Sequence, residues 1–210
     1  MAGSTFSSFF YGTLMHPKIL KRVIGNDASH LQIAPAVLFE HTRHKVKYAD
    51  YPGVVPYHQG QSLFVRELTH EERCVRGTLV TGLTSQDITC LDYFEGNEYS
   101  RCNINIHPLQ QLIDISGYDI VSTDASLVPS DPPPIPQTSE LLPAIPAQTY
   151  IYNNLNDLEA DLWSFDDFVK NNAWKWYGAA SDTNPDITEV DRRRELGTTS
   201  MVEGTTEVIA

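Results

Sequence analysis

The chain has 210 residues, a formal net charge of −12 and hydrophobic residues at 41% of its positions. This length allows a domain with a real core, and no apolar run reaches the roughly 18 residues that a membrane-spanning helix needs. Phosphate binding needs a basic face, so the negative charge argues against a nucleic-acid partner. A small polar molecule or another protein is the more natural partner.

The three cysteines (Cys74, Cys90 and Cys102) are an odd, scattered set without Cys-x-x-Cys spacing. This pattern favours a reduced protein that has neither a disulfide framework nor a zinc site. The first residues also lack the basic segment followed by an apolar segment that marks a secretory signal. We therefore expect a cytoplasmic protein that does not act at a membrane. The sequence leaves the oligomeric state open.

The N-terminal segment predicts a strand, a glycine turn and a helix. Residues 5–11 are rich in aromatic side chains and indicate a buried strand. Gly12 turns the chain, Pro17 stands at the first helical position, and Gly25 ends the helix. Backbone N–H groups at such a turn can bind an anion, although a turn with one glycine is also common as a purely structural feature.

Residues 34–83 predict short strands separated by turn residues. The predicted strands are 36–39, 45–48, 62–65 and 75–80. His41 and His44 lie three positions apart, as a pair of metal ligands can. Since no third ligand stands in a plausible frame, the pattern favours two solvated histidines and no metal site.

A helix is predicted between Thr84, which can cap its first turn, and Gly96, which can end it. Ile88 and Leu91 form one apolar stripe, and position 95 returns to within roughly 20° of position 88. Glu95 therefore closes the stripe. A carboxylate against an apolar wall has a raised pKa, which suits it to proton transfer. The alternative is a solvated glutamate at a fraying helix end.

The second half of the chain predicts a strand at 102–107, a hairpin at 112–121 and a strand at 149–152. Residues 122–147 hold seven of the thirteen prolines and predict an extended loop with no helix or ladder. We interpret this proline-rich insert as a spacer within one domain, with a proline-recognition ligand as the alternative.

A last helix is predicted from Ser164, which can cap it. Its apolar positions keep helical spacing and form core: Phe165, Phe168, Val169, Ala173 and Trp176. Beyond Gly178 the composition turns to Thr, Asp and Glu. The sequence therefore predicts one domain over 5–178 and an acidic, disordered tail over 179–210 that is dispensable for folding.

Two motifs carry a resemblance to a known family. The segments Tyr11-Gly-Thr-Leu-Met-His16 and Leu91-Asp-Tyr-Phe-Glu-Gly-Asn-Glu-Tyr-Ser-Arg101 resemble the γ-glutamylcyclotransferase superfamily, and within it the avirulence-induced-gene-like branch. The resemblance runs in order from about residue 6 to residue 178. It implies an α+β fold: a small mixed, mostly antiparallel β-barrel with helices packed outside.

The resemblance also implies an activity. Enzymes of this family close a γ-glutamyl compound on itself: the α-amine attacks the γ-carbonyl and releases 5-oxoproline with an amine or amino acid. No metal or organic cofactor is implied. The substrate's glutamyl moiety would bind at Tyr11, Gly12, Thr13, Leu14, Met15 and His16, and Glu95 would be the catalytic acid/base. Tyr99 and Arg101 are further pocket candidates, Arg101 chiefly as a structural ion-pair residue.

The competing hypothesis is a non-catalytic small-molecule-binding or protein-interaction module on the same barrel. The sequence does not say which γ-glutamyl compound an enzyme of this kind would use. It does predict that Glu95 points inward and that Glu98, beyond Gly96, lies on a solvated turn. It also predicts that a side chain added at Gly12 would fill the space through which a ligand reaches the turn.

Overall fold

A computed structural model describes residues 5–117, 132–176 and 178–196. Its strands are β1 (Phe6–Phe10), β2 (Gln32–Phe39), β3 (His41–Val46), β4 (Pro52–Pro56), β5 (Cys74–Leu83), β6 (Tyr99–Pro108), β7 (Ile113–Asp114), β8 (Ile145–Tyr152) and β9 (Leu158–Leu162). Its helices are α1 (Pro17–Ile24), α2 (Tyr57–Gly60), α3 (Ser85–Glu95), α4 (Phe165–Asn171) and α5 (Pro185–Leu196). Within these ranges no helix is long and apolar enough to cross a bilayer.

Five strands close into a barrel. The order is β5–β1–β8–β6–β2, and β2 pairs again with β5. The β1–β8 pair is parallel, and the other pairs in the ring are antiparallel. Strand β7 adds to the edge of β2, and a second sheet has the order β4–β3–β9. The predicted mixed, mostly antiparallel barrel is therefore confirmed.

The core has two main parts. Phe9, Leu79 and Ile106 are fully buried in a cluster of barrel residues. Ile19 of α1, Leu91 of α3 and Phe168 of α4 are fully or almost fully buried in a second cluster, which also holds residues of β1 and β5. The helices therefore pack their apolar faces on the outside of the barrel.

The predicted starts of α3 and α4 and the predicted end of α1 are confirmed, whereas α4 stops at Asn171 and the predicted helical positions Ala173 and Trp176 lie in a separate 3₁₀ turn. The Thr84 hydroxyl accepts a hydrogen bond from the Asp87 N–H (3.2 Å), and the Asp87 carboxylate accepts one from the Thr84 N–H (2.8 Å). Gly25 ends α1 in the left-handed region, with φ of 74°. The Ser164 hydroxyl accepts from the Asp167 N–H (3.3 Å) at the start of α4. Each of these signals acts over a few residues, which is why the sequence alone can show it.

Three strand predictions need correction. The strand predicted at 45–48 is only the end of β3, which stops at Val46, and residues 47–48 form a turn. Residues 62–65 do not form a strand, because Val65 is fully exposed and the segment has no buried face. Strand β7 pairs with β2, where Ile113 lies opposite Ile33; the second arm of the predicted hairpin, 118–121, lies outside the described residues, so the hairpin stays a prediction. Strand β8 begins at Ile145, inside the proline-rich insert. Pro146 is tolerated there because β8 has a partner strand on only one side at this position: Pro146 lies opposite Asn105 of β6, and the pairing with β1 begins at Gln148.

His41 and His44 are buried, so the prediction of solvated histidines is wrong. The His41 ring bonds the Phe39 carbonyl through Nδ1 (2.7 Å). His44 uses both ring nitrogens, with the Thr42 hydroxyl (2.7 Å) and the Glu159 carbonyl (2.8 Å). Burial lowers the pKa of both histidines. His44 therefore satisfies the Thr42 hydroxyl and the Glu159 carbonyl within the second sheet, and His41 satisfies the Phe39 carbonyl at the end of β2.

The predicted disordered tail is also wrong, up to residue 196. Ile187 and Val190 of α5 are almost fully buried against the helices of the domain. Asp191 of α5 receives two hydrogen bonds from the Arg22 guanidinium of α1, at 2.7 and 2.6 Å. Two apolar residues in a charged segment gave too weak a pattern for the sequence to show this helix. Residues 197–210 lie outside the described residues.

Replacing Ile187 by alanine is expected to lower the free energy of unfolding by about 2 kcal/mol, since it removes a buried aliphatic side chain and leaves a cavity. The matched control is Thr188→Ala, an exposed position in the same turn of α5, which should change stability by less than about 0.5 kcal/mol. Urea unfolding of the two variants and the parent measures both effects. Equal stability of the Ile187 variant and the parent would contradict the docking of α5.

Candidate active site

A cleft of about 890 Å³ opens where β1 ends and where α3 gives way to β6. Most of the residues that the sequence singles out line it: Tyr11, Gly12, Thr13, Leu14, Glu95, Tyr99 and Arg101. Met15 and His16 do not line it; both are buried behind the turn. The cleft also has a contribution that the sequence did not indicate, from residues of α5.

Glu95 is the last residue of α3 and lies half-buried in the cleft wall. Ile88 and Leu91, on the same stripe, are 5% and 0% exposed. Burial raises the pKa of Glu95 to about 8, with smaller contributions from the negative charges of Asp92 and Asp186. Among the described residues, none donates a hydrogen bond to this carboxylate. The position offers an acid/base group that changes protonation state near neutral pH.

Glu98 is exposed, as the sequence predicts, and it follows α3 in a short 3₁₀ turn, Gly96–Glu98. Its carboxylate accepts a hydrogen bond of 2.7 Å from the Tyr51 hydroxyl. It also lines the cleft, which the sequence did not indicate. Two carboxylates of different surroundings therefore lie at this end of the cleft, and only Glu95 is backed by the apolar stripe.

Three tyrosines surround Glu95 and stay neutral. Burial is the largest cause that raises the pKa of Tyr11, Tyr99 and Tyr150, and the charge of Glu95 raises each of them further. The Tyr150 hydroxyl donates to the Asp92 carboxylate at 2.9 Å, and the Tyr11 hydroxyl donates to the Tyr150 carbonyl. These hydroxyls supply hydrogen-bonding dipoles without adding charge.

Arg101 is held in an ion pair, in agreement with its predicted structural role. Its Nε donates to the Asp92 carboxylate (2.9 Å), and its Nη1 donates to the side-chain oxygen of Gln148 (2.7 Å). The Asp92 carboxylate thus accepts hydrogen bonds from both Arg101 and Tyr150. Sequence reasoning missed Asp92, although its position three residues before Glu95 places it on the same helix face.

The glycine turn forms a single 3₁₀ turn, Thr13–Met15. The Met15 N–H donates to the Gly12 carbonyl (3.0 Å), and the His16 N–H donates to the Thr13 carbonyl (3.1 Å). The first N–H groups of such a turn have no acceptor within it. The N–H groups of Thr13 and Leu14 therefore take no part in the hydrogen bonds of the turn itself. Both residues line the cleft.

Arg43 supports this turn from behind, and sequence reasoning missed it. Its Nη1 donates to the carbonyls of Tyr11 (2.8 Å) and Arg76 (3.3 Å), and its guanidinium lies 5.2 Å from the ring centre of Trp163. Burial lowers the pKa of Arg43 to about 10, so the side chain stays charged at neutral pH. The residues around Arg43 in β3 give no sign that its side chain points into the protein, so the sequence alone could not predict this contact.

Gly12 is required by a close approach between the turn and β4. A Cβ added at Gly12 would lie 2.9 Å from both Cγ and Cδ of Pro52. The prediction that a side chain here fills the space above the turn is therefore corrected: it would press on β4 instead. Pro52 itself lines the cleft, and its carbonyl accepts a hydrogen bond of 2.8 Å from the Tyr99 hydroxyl.

Gly12→Ala is expected to lower ligand binding or turnover about tenfold or more, since a displacement of roughly 1 Å in a site can cost up to about 100-fold. Adding Pro52→Ala to it removes the obstructing ring, so the double variant should regain part of the loss. Titration with 5-oxoproline and unfolding by urea separate the loss of binding from a loss of folding. A double variant as weak as Gly12→Ala alone would contradict the clash as the cause.

Residues 8–174 match the family described as gamma-glutamyl cyclotransferase, AIG2-like, and the chain belongs to this family. Protein AIG2 C of Arabidopsis thaliana is 26% identical over 98 residues, 47% of this chain and 50% of that protein. AIG2-like protein A of the same plant is 29% identical over 98 residues, with the same shares of each chain (47% and 50%). The chain therefore spans about half the length of the curated relatives it matches.

A protein of Arabidopsis thaliana whose structure was solved in solution is similar to this chain, with 20% sequence identity. The match covers 84% of this chain and 88% of that chain, with a TM-score of 0.48.

Proposed function

We propose that the protein is a cofactor-independent γ-glutamyl cyclotransferase in which Glu95 is the general acid/base. The observation that carries this proposal is the position of Glu95: a carboxylate with its pKa raised to about 8, in a cleft that it shares with the glycine turn. Family membership over residues 8–174 supports the class of reaction.

The substrate of such a reaction carries its own nucleophile. Its α-amine closes a five-membered ring on the γ-carbonyl, so the protein needs no serine or cysteine nucleophile. Holding the substrate folded for this attack can contribute roughly 7–11 kcal/mol. The N–H groups of Thr13 and Leu14 would bind the glutamyl moiety, and Arg43 would keep their turn rigid by holding the Tyr11 carbonyl.

The protons balance around one carboxylate. The α-ammonium starts with three protons, of which the lactam nitrogen of 5-oxoproline keeps one. Glu95 enters the step as the carboxylate, takes one from the attacking nitrogen and passes it to the leaving nitrogen; the last goes to Glu95, which loses it to water before the next turnover. General acid/base catalysis of this kind contributes roughly 10²–10⁴-fold. Because the hydroxyls of Tyr11, Tyr99 and Tyr150 already donate within the protein, the N–H groups of Thr13 and Leu14 would stabilise the negative oxygen that develops on the γ-carbonyl.

The test is a panel of γ-glutamyl amines, γ-glutamyl amino acids and γ-glutamyl peptides incubated with purified protein, with release of 5-oxoproline as the readout. We expect release from at least one class, and unchanged release in the presence of a chelator. Binding of 5-oxoproline without release from any compound would refute the proposal and favour the non-catalytic binding module.

A further inference from the structure

Arg43 of β3 carries a charge that has no acidic partner in the described parts of the protein. Its guanidinium donates to the backbone carbonyls of Tyr11 (2.8 Å) and Arg76 (3.3 Å) and lies 5.2 Å from the ring centre of Trp163. Burial lowers its pKa to about 10, and no neighbouring carboxylate raises it. A charge that is removed from water without a counter-charge is costly. The surroundings of Arg43 therefore favour an anion that a ligand supplies.

One of these contacts links Arg43 to the cleft. The Tyr11 carbonyl belongs to the peptide group whose N–H is that of Gly12, and Gly12 lines the cleft. Among the described residues no peptide bond is cis, so this carbonyl and this N–H lie on opposite edges of one plane. A positive charge at the carbonyl polarises the peptide group and strengthens its N–H as a donor. Arg43 thus acts on the Gly12 N–H from behind the turn.

The turn has three successive backbone N–H groups, those of Gly12, Thr13 and Leu14. All three residues are buried and line the cleft. Within the described ranges, no group of the protein accepts a hydrogen bond from any of the three. Buried backbone N–H groups are nearly always paired, and successive ones in a turn form a concavity that binds anions. With the N–H groups of Thr13 and Leu14 assigned to the γ-carbonyl, the Gly12 N–H remains for a second acceptor on the same ligand.

The positive side chains that line the cleft are already paired. They are Arg101 and Arg193 among the described residues, and each is in an ion pair with a carboxylate of the protein. Arg43 is therefore the arginine near the turn whose charge is not neutralised. A γ-glutamyl group carries a carboxylate and an ammonium on the same α-carbon. The carboxylate is matched by the turn with Arg43 behind it, and the ammonium is matched by Glu95 in the cleft wall.

We propose that Arg43 is a positioning residue that supplies the counter-charge for the α-carboxylate of the substrate, through the Tyr11–Gly12 peptide group. This inference rests on the proposed cyclotransferase activity. The Gly12 N–H holds the α-carboxylate, and the next two N–H groups hold the γ-carbonyl oxygen. The substrate is then fixed at both ends of its glutamyl chain, with the α-amine left for Glu95. Arg43 thereby selects γ-glutamyl compounds that have a free α-carboxylate.

The test compares two ligands that differ by one charge. 5-Oxoproline keeps the α-carboxylate of the substrate, and 5-oxoprolinamide has a neutral amide in its place on the same ring. We expect the full-length protein to bind the acid at least about tenfold more tightly than the amide at pH 7, since hydrogen bonds to a charged group are stronger than those to a neutral one. Calorimetric titration measures both affinities. Equal affinity for the two ligands would overturn the proposal without the need for any variant.

Arg43→Gln removes the charge and keeps a donor for the Tyr11 carbonyl. The preference for the acid over the amide should therefore fall to about twofold or less. Arg43→Lys keeps the charge and should retain most of the preference.

The same titrations separate this role from a structural one. A purely structural arginine holds the turn for both ligands, so its loss would weaken the acid and the amide equally and leave the preference intact. That outcome in Arg43→Gln would contradict the proposal.

Arg73→Gln is the matched control. The Arg73 guanidinium also lies over an aromatic ring, 5.1 Å from the centre of Tyr57, but it pairs with Glu40 at 3.5 Å rather than with the turn. This variant should keep the preference of the parent. Arg101→Gln and Arg193→Gln test the alternative that an arginine of the cleft wall binds the carboxylate. Loss of the preference in either of these two, but not in Arg43→Gln, would refute the role of Arg43.

Kinetics provide the second readout, with the best substrate of the panel and its α-amide. Arg43→Gln should lower kcat/KM for the substrate about tenfold or more, and it should change kcat/KM for the α-amide by about twofold or less. An equal loss on both compounds would show a structural role and overturn the proposal. If no compound releases 5-oxoproline but the preference for the acid depends on Arg43, the cyclotransferase proposal fails and the counter-charge role of Arg43 is supported. If 5-oxoproline is released and the preference does not depend on Arg43, this inference fails and the cyclotransferase proposal stands.

Discussion

Glu95→Gln is expected to lower the rate of 5-oxoproline release by at least about two orders of magnitude. Glutamine keeps the shape of the side chain and loses the group that takes and returns the proton, and general acid/base catalysis accounts for roughly 10²–10⁴-fold. The loss should appear in kcat and in kcat/KM alike, as for an interaction made only in the transition state. Initial rates on the best substrate of the panel measure it.

The matched comparison is Glu98→Gln, three residues further along the chain. Glu98 is exposed, bonds to the Tyr51 hydroxyl and has no apolar wall behind it, so its variant should stay within about tenfold of the parent. The opposite pattern, with Glu98→Gln inactive and Glu95→Gln normal, would refute both the stripe argument and the role carried over from the family.

The direction of the Glu95 side chain could be predicted from the sequence because the signals that fix it lie close together in the chain. A cap at Thr84, an apolar stripe at Ile88 and Leu91 and a stop at Gly96 lie within one helix and fix which way the side chain at 95 points. The barrel was inferred in a different way, from a resemblance over much of the chain. Its closure depends on β5 pairing with both β1 and β2, and no short pattern shows that.

The residues that were missed are defined by tertiary contacts. Arg43 stands in a strand where alternation places it at the surface, yet its guanidinium reaches the Tyr11 carbonyl. His44 is buried by groups from distant segments: its ring centre lies 5.2 Å from that of Phe64, and its Nδ1 bonds to the Glu159 carbonyl. Asp186 belongs to a helix that only its docking reveals. In each case the sequence shows the chemical group but not the neighbour that gives it a function.

The raised pKa of Glu95 also has a consequence for folding. In the unfolded chain the carboxyl loses its proton near its usual pKa of 4.5, whereas in the folded protein it holds the proton up to about pH 8. Between these values the folded state binds more protons than the unfolded state. The contribution of Glu95 to the free energy of unfolding therefore falls as pH rises through this window and is constant above it.

Glu95→Gln is accordingly expected to be more stable than the parent at pH 9 and close to it at pH 4. One unit of pKa difference corresponds to about 1.4 kcal/mol, which sets a ceiling of roughly 5 kcal/mol for the gain. Water in the open cleft screens the carboxylate, so a gain on the order of 2 kcal/mol is the expected result. Urea unfolding of both proteins across this pH range measures it.

Glu189→Gln is the control for this measurement, because ion pairs with Arg192 and Arg193 lower the pKa of Glu189 to about 2. Its carboxylate stabilises the folded state above its unfolded pKa, and this contribution is lost only as the pH falls toward 2. Its removal should therefore cause a small loss of stability that stays constant between pH 6 and 9. A pH-independent difference between Glu95→Gln and the parent would show that Glu95 ionises in the cleft as easily as in water. A gain that grows with pH, in a variant that no longer turns over, would mean that the folded protein carries an unfavourable carboxylate at the position where the reaction needs a base.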